Sequence, residues 1–318
     1  MSFRIGIDIG NFDTKTQHTN TPSGYVQYSV KPALAKEYLK YKGNYYAPTV
    51  NRFEYVKDKT ENERALILSL FAIAKEIMFK AKQDGCTNDA QIQDYIKNIG
   101  SISIGVGLPV GDFTKLKDKT NDYYISNLGI DRIEFNYLGY DYKLTLEKCT
   151  TFPQDLLPVA ANRDCMIAQK YKKYLIIGIG GQTVDLIPVI EGIPVAEMCS
   201  SLRLGVRKMF TDIINYLDIN YGISLGEDTI ESVIKKDPTA LSDDMKNSVY
   251  VQADMHAKKI INACVQKGFN FIEYPVVYYG GGCLLLKEYL ESIKDVSVYE
   301  FLDDVNANAK FYAEKIRG

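Results

Sequence analysis

Two segments of this chain, 170 positions apart, have the same design. Asp8-Ile9-Gly10-Asn11-Phe12-Asp13-Thr14-Lys15 and Gly178-Ile179-Gly180-Gly181-Gln182-Thr183-Val184-Asp185 each follow an apolar run and turn at glycine toward a second strand. The first run alternates (Phe3, Ile5, Ile7, Ile9), and the second is continuous (Leu175, Ile176, Ile177). Such a turn points backbone N–H groups outward, where they can hold phosphate oxygens. A carboxylate beside them invites Mg2+. One loop of this kind says little. Two, in equivalent places in the two halves, imply a nucleotide held between paired α/β domains.

Composition agrees with that plan. A length of 318 residues suggests two domains. With 46% hydrophobic and 25% charged residues, the chain reads as an ordinary globular protein. The net charge of −2 gives no broad pull toward nucleic acid or anionic membrane. None of the six cysteines has CxxC spacing, and His18 and His256 are too far apart to suggest a metal pair. The N-terminus begins a strand at once, without a signal-peptide pattern. The most apolar helical stretch, Leu66 to Phe79, is broken by Lys75 and Glu76 and is too short to span a bilayer. The expectation is a cytoplasmic protein with no membrane partner.

The pattern predicts a strand from Phe3 to Ile9 with a hairpin partner at Thr14 to His18, then short strands and turns over 20–60. Helices follow at Glu61–Lys82 and at Asn88–Ile99, the latter capped by Asn88 or Asp89. A buried strand runs over Ser101–Pro109. A β-rich stretch, Ile133–Leu146, turns at Leu138-Gly139-Tyr140-Asp141, and a helix is expected at Leu156–Tyr171. The second half repeats this outline. Strands are expected at Tyr174–Ile179, Val184–Ile190 and Ile193–Met198, with a hairpin turn at Glu191-Gly192. Helices are expected over 202–217 and 243–267. The strand Pro275–Tyr279 leads through Gly280-Gly281-Gly282 into a helix at Cys283–Ser292, and a last helix lies near Asn306–Arg317.

Gly10 lets the backbone approach a phosphate without a Cβ clash. Asp8 could hold Mg2+ through water, because Mg2+ keeps much of its hydration shell. Lys15 could meet a β-phosphate as a point charge. In the second loop, Gly180 and Gly181 fit a phosphate turn, and Gln182 and Thr183 add side-chain donors. Gly280, Gly281 and Gly282 permit flat approach of an adenosine or α-phosphate. A plain hairpin or a permissive strand–helix turn would account for each segment taken singly. The three together make chance a poor explanation. No GxxxxGK[ST] motif exists, and Thr183 stands where GxGxxG needs its third glycine, so neither a P-loop nor a Rossmann site is supported.

These residues resemble the actin-like ATPase superfamily over nearly the whole chain, and most of all its ParM-type plasmid-segregation proteins. The resemblance rests on both loops, Gly107-Leu108-Pro109, the connector Phe152-Pro153-Gln154, the Gly280–Gly282 turn and Asn306-Ala307-Asn308-Ala309-Lys310-Phe311. It implies two lobes with duplicated ribonuclease H-like cores around a nucleotide cleft. The first lobe would span 1–155, with an insertion at about 20–60 and a C-terminal helix at about 304–318 returning to it; the second would span 156–303. It implies that Gly10, Asn11, Phe12, Asp13, Thr14 and Lys15 line the phosphates together with Gly180, Gly181, Gln182 and Thr183. Gly280, Gly281 and Gly282 would border the adenosine, and Gly205 the ribose side. Asp8 would sit near Mg2+, Gln154 would orient the attacking water, and Asp185 would be the retained catalytic carboxylate. The family's second loop usually opens with Asp in a DxGGxTxD pattern; here Gly178 stands there. Slower hydrolysis, or reliance on Asp8, Gln154 and Asp185 alone, is the expectation.

The function so implied is an ATP- or GTP-dependent filament, with Mg2+ as cofactor. It would move plasmid DNA through a small DNA-binding adaptor, in keeping with the absence of a basic surface. Two other readings stand beside it. A small-molecule kinase shares this core but needs a general base aimed at a substrate hydroxyl. A nucleotide-binding scaffold with little catalysis would suit Gly178.

Overall fold

The computed structural model describes residues 3–54, 56, 58–129, 132–156, 159 and 165–316. The chain divides into two compact units: Met1–Gln154 with Asn306–Gly318, and Asp155–Val305.

Unit 1 is built on a nine-stranded sheet of order β3-β2-β1-β7-β9-β8-β5-β6-β4. The strands are β1 (Phe3–Ile9), β2 (Asp13–Lys15), β3 (Asn20–Pro22), β4 (Tyr25–Tyr28), β5 (Leu39–Tyr41), β6 (Asn44–Pro48), β7 (Ser101–Leu108), β8 (Ile133–Tyr137) and β9 (Tyr140–Pro153). The helices are α1 (Arg64–Gln83), α2 (Asp89–Asn98), α3 (Val110–Tyr124) and, returning from the far end of the chain, α10 (Ala307–Lys315). Asn88 caps α2 by accepting from the Gln91 N–H at 3.0 Å.

The two faces of β1 and β7 have different chemistry. Ile5, Ile7 and Ile9, with Ile102, Ile104 and Val106, belong to the same buried core as Leu66, Leu70 and Ile73 of α1. The alternate positions include three glycines, Gly6, Gly105 and Gly107. A Cβ on Gly6 would lie 1.8 Å from the Ala309 carbonyl oxygen, one on Gly105 2.7 Å from Tyr312 Cβ, and one on Gly107 2.3 Å from Tyr312 Oη. This glycine stripe lets α10 lie directly on the sheet backbone. Phe152 at the end of β9 stacks on Tyr312, with ring centroids 5.3 Å apart, and fixes the helix from the side.

Unit 2 carries a six-stranded sheet of order β12-β11-β10-β14-β15, with β13 also paired to β11. Its elements are α4 (Met166–Lys170), β10 (Lys173–Ile179), β11 (Val184–Ile190), β12 (Ile193–Pro194), β13 (Ser200–Leu202), α5 (Val206–Tyr221), α6 (Glu227–Ile234), α7 (Asp243–Gln266), β14 (Val276–Tyr279), α8 (Gly281–Leu285), α9 (Lys287–Glu291) and β15 (Tyr299–Leu302). The duplication is explicit in the ladders. β1 pairs antiparallel with β2 and parallel with β7, which pairs parallel with β9. β10 pairs antiparallel with β11 and parallel with β14, which pairs parallel with β15.

The structure corrects the sequence reading in several places. The strand expected at Ile193–Met198 stops at Pro194, which has no N–H to continue a ladder, and the chain enters a 3-10 turn at Ala196–Met198. The helix expected at Cys283–Ser292 starts earlier and kinks at Leu286 (φ −97°, ψ 8°) into α8 and α9. The hairpin strand expected at Thr14–His18 is shorter, at Asp13–Lys15. Of the helix expected at Leu156–Tyr171, Met166–Lys170 is helical, and much of the rest lies outside the described residues. Helices α3 and α6 and strand β15 had no counterpart in the sequence reading.

Candidate functional site

Asp8 ends β1 on the glycine face, the face that meets α10. It is buried (8% exposed) and held by two amides. Gln154 Nε2 donates to Oδ1 at 2.6 Å, and Asn308 Nδ2 of α10 donates to Oδ2 at 3.1 Å. A carboxylate offers about four acceptor sites, so two remain for water or N–H donors. Lys15 stands opposite Asp8 in the β1–β2 ladder, so both side chains leave the hairpin on one face.

The first loop is closed by its own backbone: the Gly10 N–H donates to the Asp13 carbonyl at 3.0 Å. A Cβ on Gly10 would lie 2.7 Å from that oxygen, so the turn requires glycine. The insertion supports the loop from behind. Ser23 Oγ donates to the Gly10 carbonyl at 2.6 Å, and its N–H donates to the Phe12 carbonyl at 3.0 Å. Arg52 Nε donates to the Phe12 carbonyl at 2.8 Å while its guanidinium lies over the Phe12 ring. Lys59 Nζ donates to the Ile9 carbonyl. With these carbonyls turned inward, the N–H groups of Asn11 and Phe12 have no acceptor among the described residues.

The second loop repeats the closure, with the Gly180 N–H donating to the Thr183 carbonyl at 2.9 Å. Its carbonyls are taken by the start of α5. Gly205 N–H donates to Gln182, Val206 N–H to Gly180 and Arg207 N–H to Gly181, at 3.1, 3.1 and 2.9 Å. These helix donors would otherwise lack partners. They fix the loop rather than meet a ligand. The Gly181 and Gln182 N–H groups have no acceptor among the described residues. Gly205 is seated on the loop itself, since a Cβ there would lie 2.4 Å from the Gln182 carbonyl carbon. Asp185 stands opposite Gly178 in the ladder and accepts from Thr183 Oγ1 at 3.2 Å.

The third turn is less uniform than its three glycines suggest. Gly280 has φ +92°, and a Cβ there would lie 2.8 Å from the Ile179 carbonyl oxygen. Gly282 is buried against the Ile179 side chain, 2.5 Å from a hypothetical Cβ. Packing onto β10 accounts for both. Gly281 alone faces open space, and the helix behind it has five residues.

His256 of α7 holds the segment that seats Gly205. Its Nε2–H donates to the Leu204 carbonyl at 2.9 Å. Burial holds its imidazole below the ordinary value of 6.5, helped by Lys259 and Lys208 and opposed by the Leu204 bond and Asp212. The unfolded chain therefore takes up a proton that the native state resists. The stability contribution is complete above pH 6.5 and is lost as pH falls through the lower native value. Denaturant unfolding followed from pH 7.5 downward should show this loss, and His256→Gln, which keeps a donor for Leu204, should flatten that part of the profile.

The site residues proposed from sequence fall into two groups of neighbours. Asp8, Gly10–Lys15 and Gln154 share unit 1; Gly180–Thr183, Asp185, Gly205 and Gly280–Gly282 share unit 2. Sequence reasoning missed Ser23, Arg52, Lys59 and Asn308. The unpaired N–H groups and the two-amide hold on Asp8 fit a polyphosphate with water-bound Mg2+. Among the described residues, no cluster of three or more His, Cys, Asp or Glu side chains is arranged to hold a metal ion.

Comparison with known proteins supports the fold independently. Residues 176–292, all in unit 2, match the family model for the C-terminal domain of MreB-like archaeal actin homologues. A crystal structure of the archaeal actin homologue Ta0583 in complex with ADP superposes with TM-score 0.70 at 17% identity, covering 99% of this chain and 98% of that one. A ParM from a 15-stranded Clostridium botulinum filament gives TM-score 0.72 at 18% identity, covering 99% of each chain. Bacillus thuringiensis ParM with ATP gives TM-score 0.64 at 13% identity, covering 98% of this chain and 96% of that one. No curated protein matches the sequence. The chain has the actin-like ATPase fold. Its structural neighbours include ParM-type filament proteins as well as archaeal actin homologues. No helix among the described residues is long and apolar enough to cross a membrane.

Proposed function

We propose that this protein is a Mg2+-dependent ATPase that assembles into actin-like filaments. The observation that carries this reading is the repeated loop. Gly10 to Asp13 and Gly180 to Thr183 close with the same N–H···O bond, at 3.0 and 2.9 Å, and each leaves N–H groups without an acceptor among the described residues. The ADP and ATP complexes of its structural neighbours, and the filament among them, support nucleotide and self-assembly as the shared theme.

In this reading the loop N–H groups bind phosphate oxygens and Lys15 meets the β-phosphate. Asp8 accepts hydrogen bonds from Mg2+-bound water, and Gln154 presents its carbonyl oxygen to the attacking water while its amide is held by Asp8. Bound Mg2+ supplies charge neutralisation for phosphoryl transfer, which depends chiefly on positioning and charge. Asp185 completes the polar wall beside the second loop. Assembly in the cytoplasm, with plasmid DNA reached through a small adaptor, is the biological role proposed.

The test is light scattering and pelleting with Mg2+ and either ATP or GTP. Scattering should rise with protein concentration above a threshold, and in one nucleotide more than in the other. A flat signal with both nucleotides at all concentrations would remove the filament reading.

A further inference from the structure

The two hairpins differ at one chemically important position. In unit 1 the residue two before the turn glycine is Asp8, opposite Lys15; in unit 2 it is Gly178, opposite Asp185. The space beside Gly178 is filled from elsewhere. A Cβ built there would lie 2.8 Å from Asp155 Oδ2 and 3.4 Å from its Cγ. A carboxylate from the residue after Gln154 therefore already occupies the place a strand-end side chain would enter. Asp155 reaches it with a left-handed backbone, φ +63°, which aspartate, asparagine and glycine adopt more readily than other residues. Asp185 leaves the hairpin on the same face, because directly opposed residues in a ladder share a side.

We propose that Asp155 replaces the missing strand-end carboxylate of the second loop and orders the water shell of nucleotide-bound Mg2+ there. Asp155 is then a positioning residue that acts through water. The proposal rests on the nucleotide reading above. Mg2+ dehydrates reluctantly and is commonly held through its waters by one or two carboxylates, which suits a side chain that approaches the loop from the side. Gly178 and Asp155 are then two halves of one exchange: the carboxylate has moved from the strand to the connector. Gly178→Asp alone would crowd a second carboxylate against the first and is the wrong probe.

The experiment uses the full chain and a fluorescent non-hydrolysable ATP analogue, titrated with Mg2+ and with EDTA. The wild type is compared with Asp155→Asn and with the exchange Gly178→Asp/Asp155→Gly. Asn and Gly both tolerate the left-handed backbone at 155, and circular dichroism checks folding. Asp155→Asn should reduce the Mg2+-dependent gain in affinity on the order of 10-fold, as loss of an outer-shell partner does, and leave the EDTA value unchanged. The exchange variant should recover the gain. An unchanged gain in Asp155→Asn overturns the proposal and leaves the nucleotide reading intact. A loss that the folded exchange variant does not recover overturns it too, because the carboxylate's place would then not be the cause. If the exchange variant does not fold, Asp155→Asn decides alone. Failure of the wild type to bind the analogue under either condition removes the nucleotide reading and the proposal with it.

Discussion

Replacing Asp8 with alanine should weaken Mg2+-dependent nucleotide binding by about 10- to 100-fold, measured by titration with a fluorescent ATP analogue. The estimate follows from removing a carboxylate whose charge-assisted bonds contribute about 1.5–3 kcal/mol each, with tenfold in affinity for every 1.4 kcal/mol. Gln154→Ala should behave differently: binding largely kept and phosphate release slowed by about 10²-fold, as misplacement of a reacting water does. The structure adds a control. Because Gln154 Nε2 is one of the two amides on Asp8, its removal also loosens that carboxylate. Asn308→Ala removes the other amide and leaves the connector intact. If Gln154→Ala and Asn308→Ala slow hydrolysis equally, the effect of Gln154 is on Asp8 and not on water. Equal loss of binding in Asp8→Ala and Gln154→Ala would refute the division of roles.

Gly6→Ala should be among the most destabilising single-methyl changes in the chain. Its Cβ would lie 1.8 Å from the Ala309 carbonyl oxygen and 2.6 Å from the carbonyl carbon, all backbone, with no side chain to swing away. Overpacking of this kind costs about 1–3 kcal/mol and at times more, and here the upper end applies. Thermal unfolding followed by circular dichroism should show a fall of roughly 10 °C. Gly111→Ala is the comparison. It sits in α3 with nothing within 4 Å of the new Cβ, and alanine favours the helix by about 1 kcal/mol. A Gly6→Ala protein as stable as the parent would mean that α10 does not rest on β1 as described.

The hairpins were legible because each carries its own pattern, apolar strands around a glycine turn. Finding that pattern twice implied paired domains, and the fold itself came from the resemblance that also drew on Phe152-Pro153-Gln154, the Gly280–Gly282 turn and the C-terminal segment. What was not legible lacked a local pattern. Helix α3 buries only Thr120 and Tyr124, and charged residues interrupt its other apolar positions, so its apolar stripe is thin. Strand β15 is four residues long and lies at the sheet edge. Ser23, Arg52, Lys59 and Asn308 reach the first loop from distant parts of the chain, and no spacing rule connects them to Gly10 or Asp8. A signal did exist for the seat of α10. Gly6 in β1, and Gly105 and Gly107 in β7, are small residues on one face of buried strands, the mark of close backbone approach. The role of Gly178 could not be judged from its own segment, because the carboxylate beside it belongs to residue 155.

Helix α10 follows unit 2 in the chain yet belongs to unit 1. During synthesis the ribosome therefore makes β1, the first loop and Gln154 long before it makes Asn308. Until unit 2 has emerged, Asp8 has at most one of its two amides, and the glycine stripe of β1 and β7 faces water. The order of translation thus delays completion of the first loop's carboxylate, and a nascent chain stalled before residue 306 should bind nucleotide less well than the released protein.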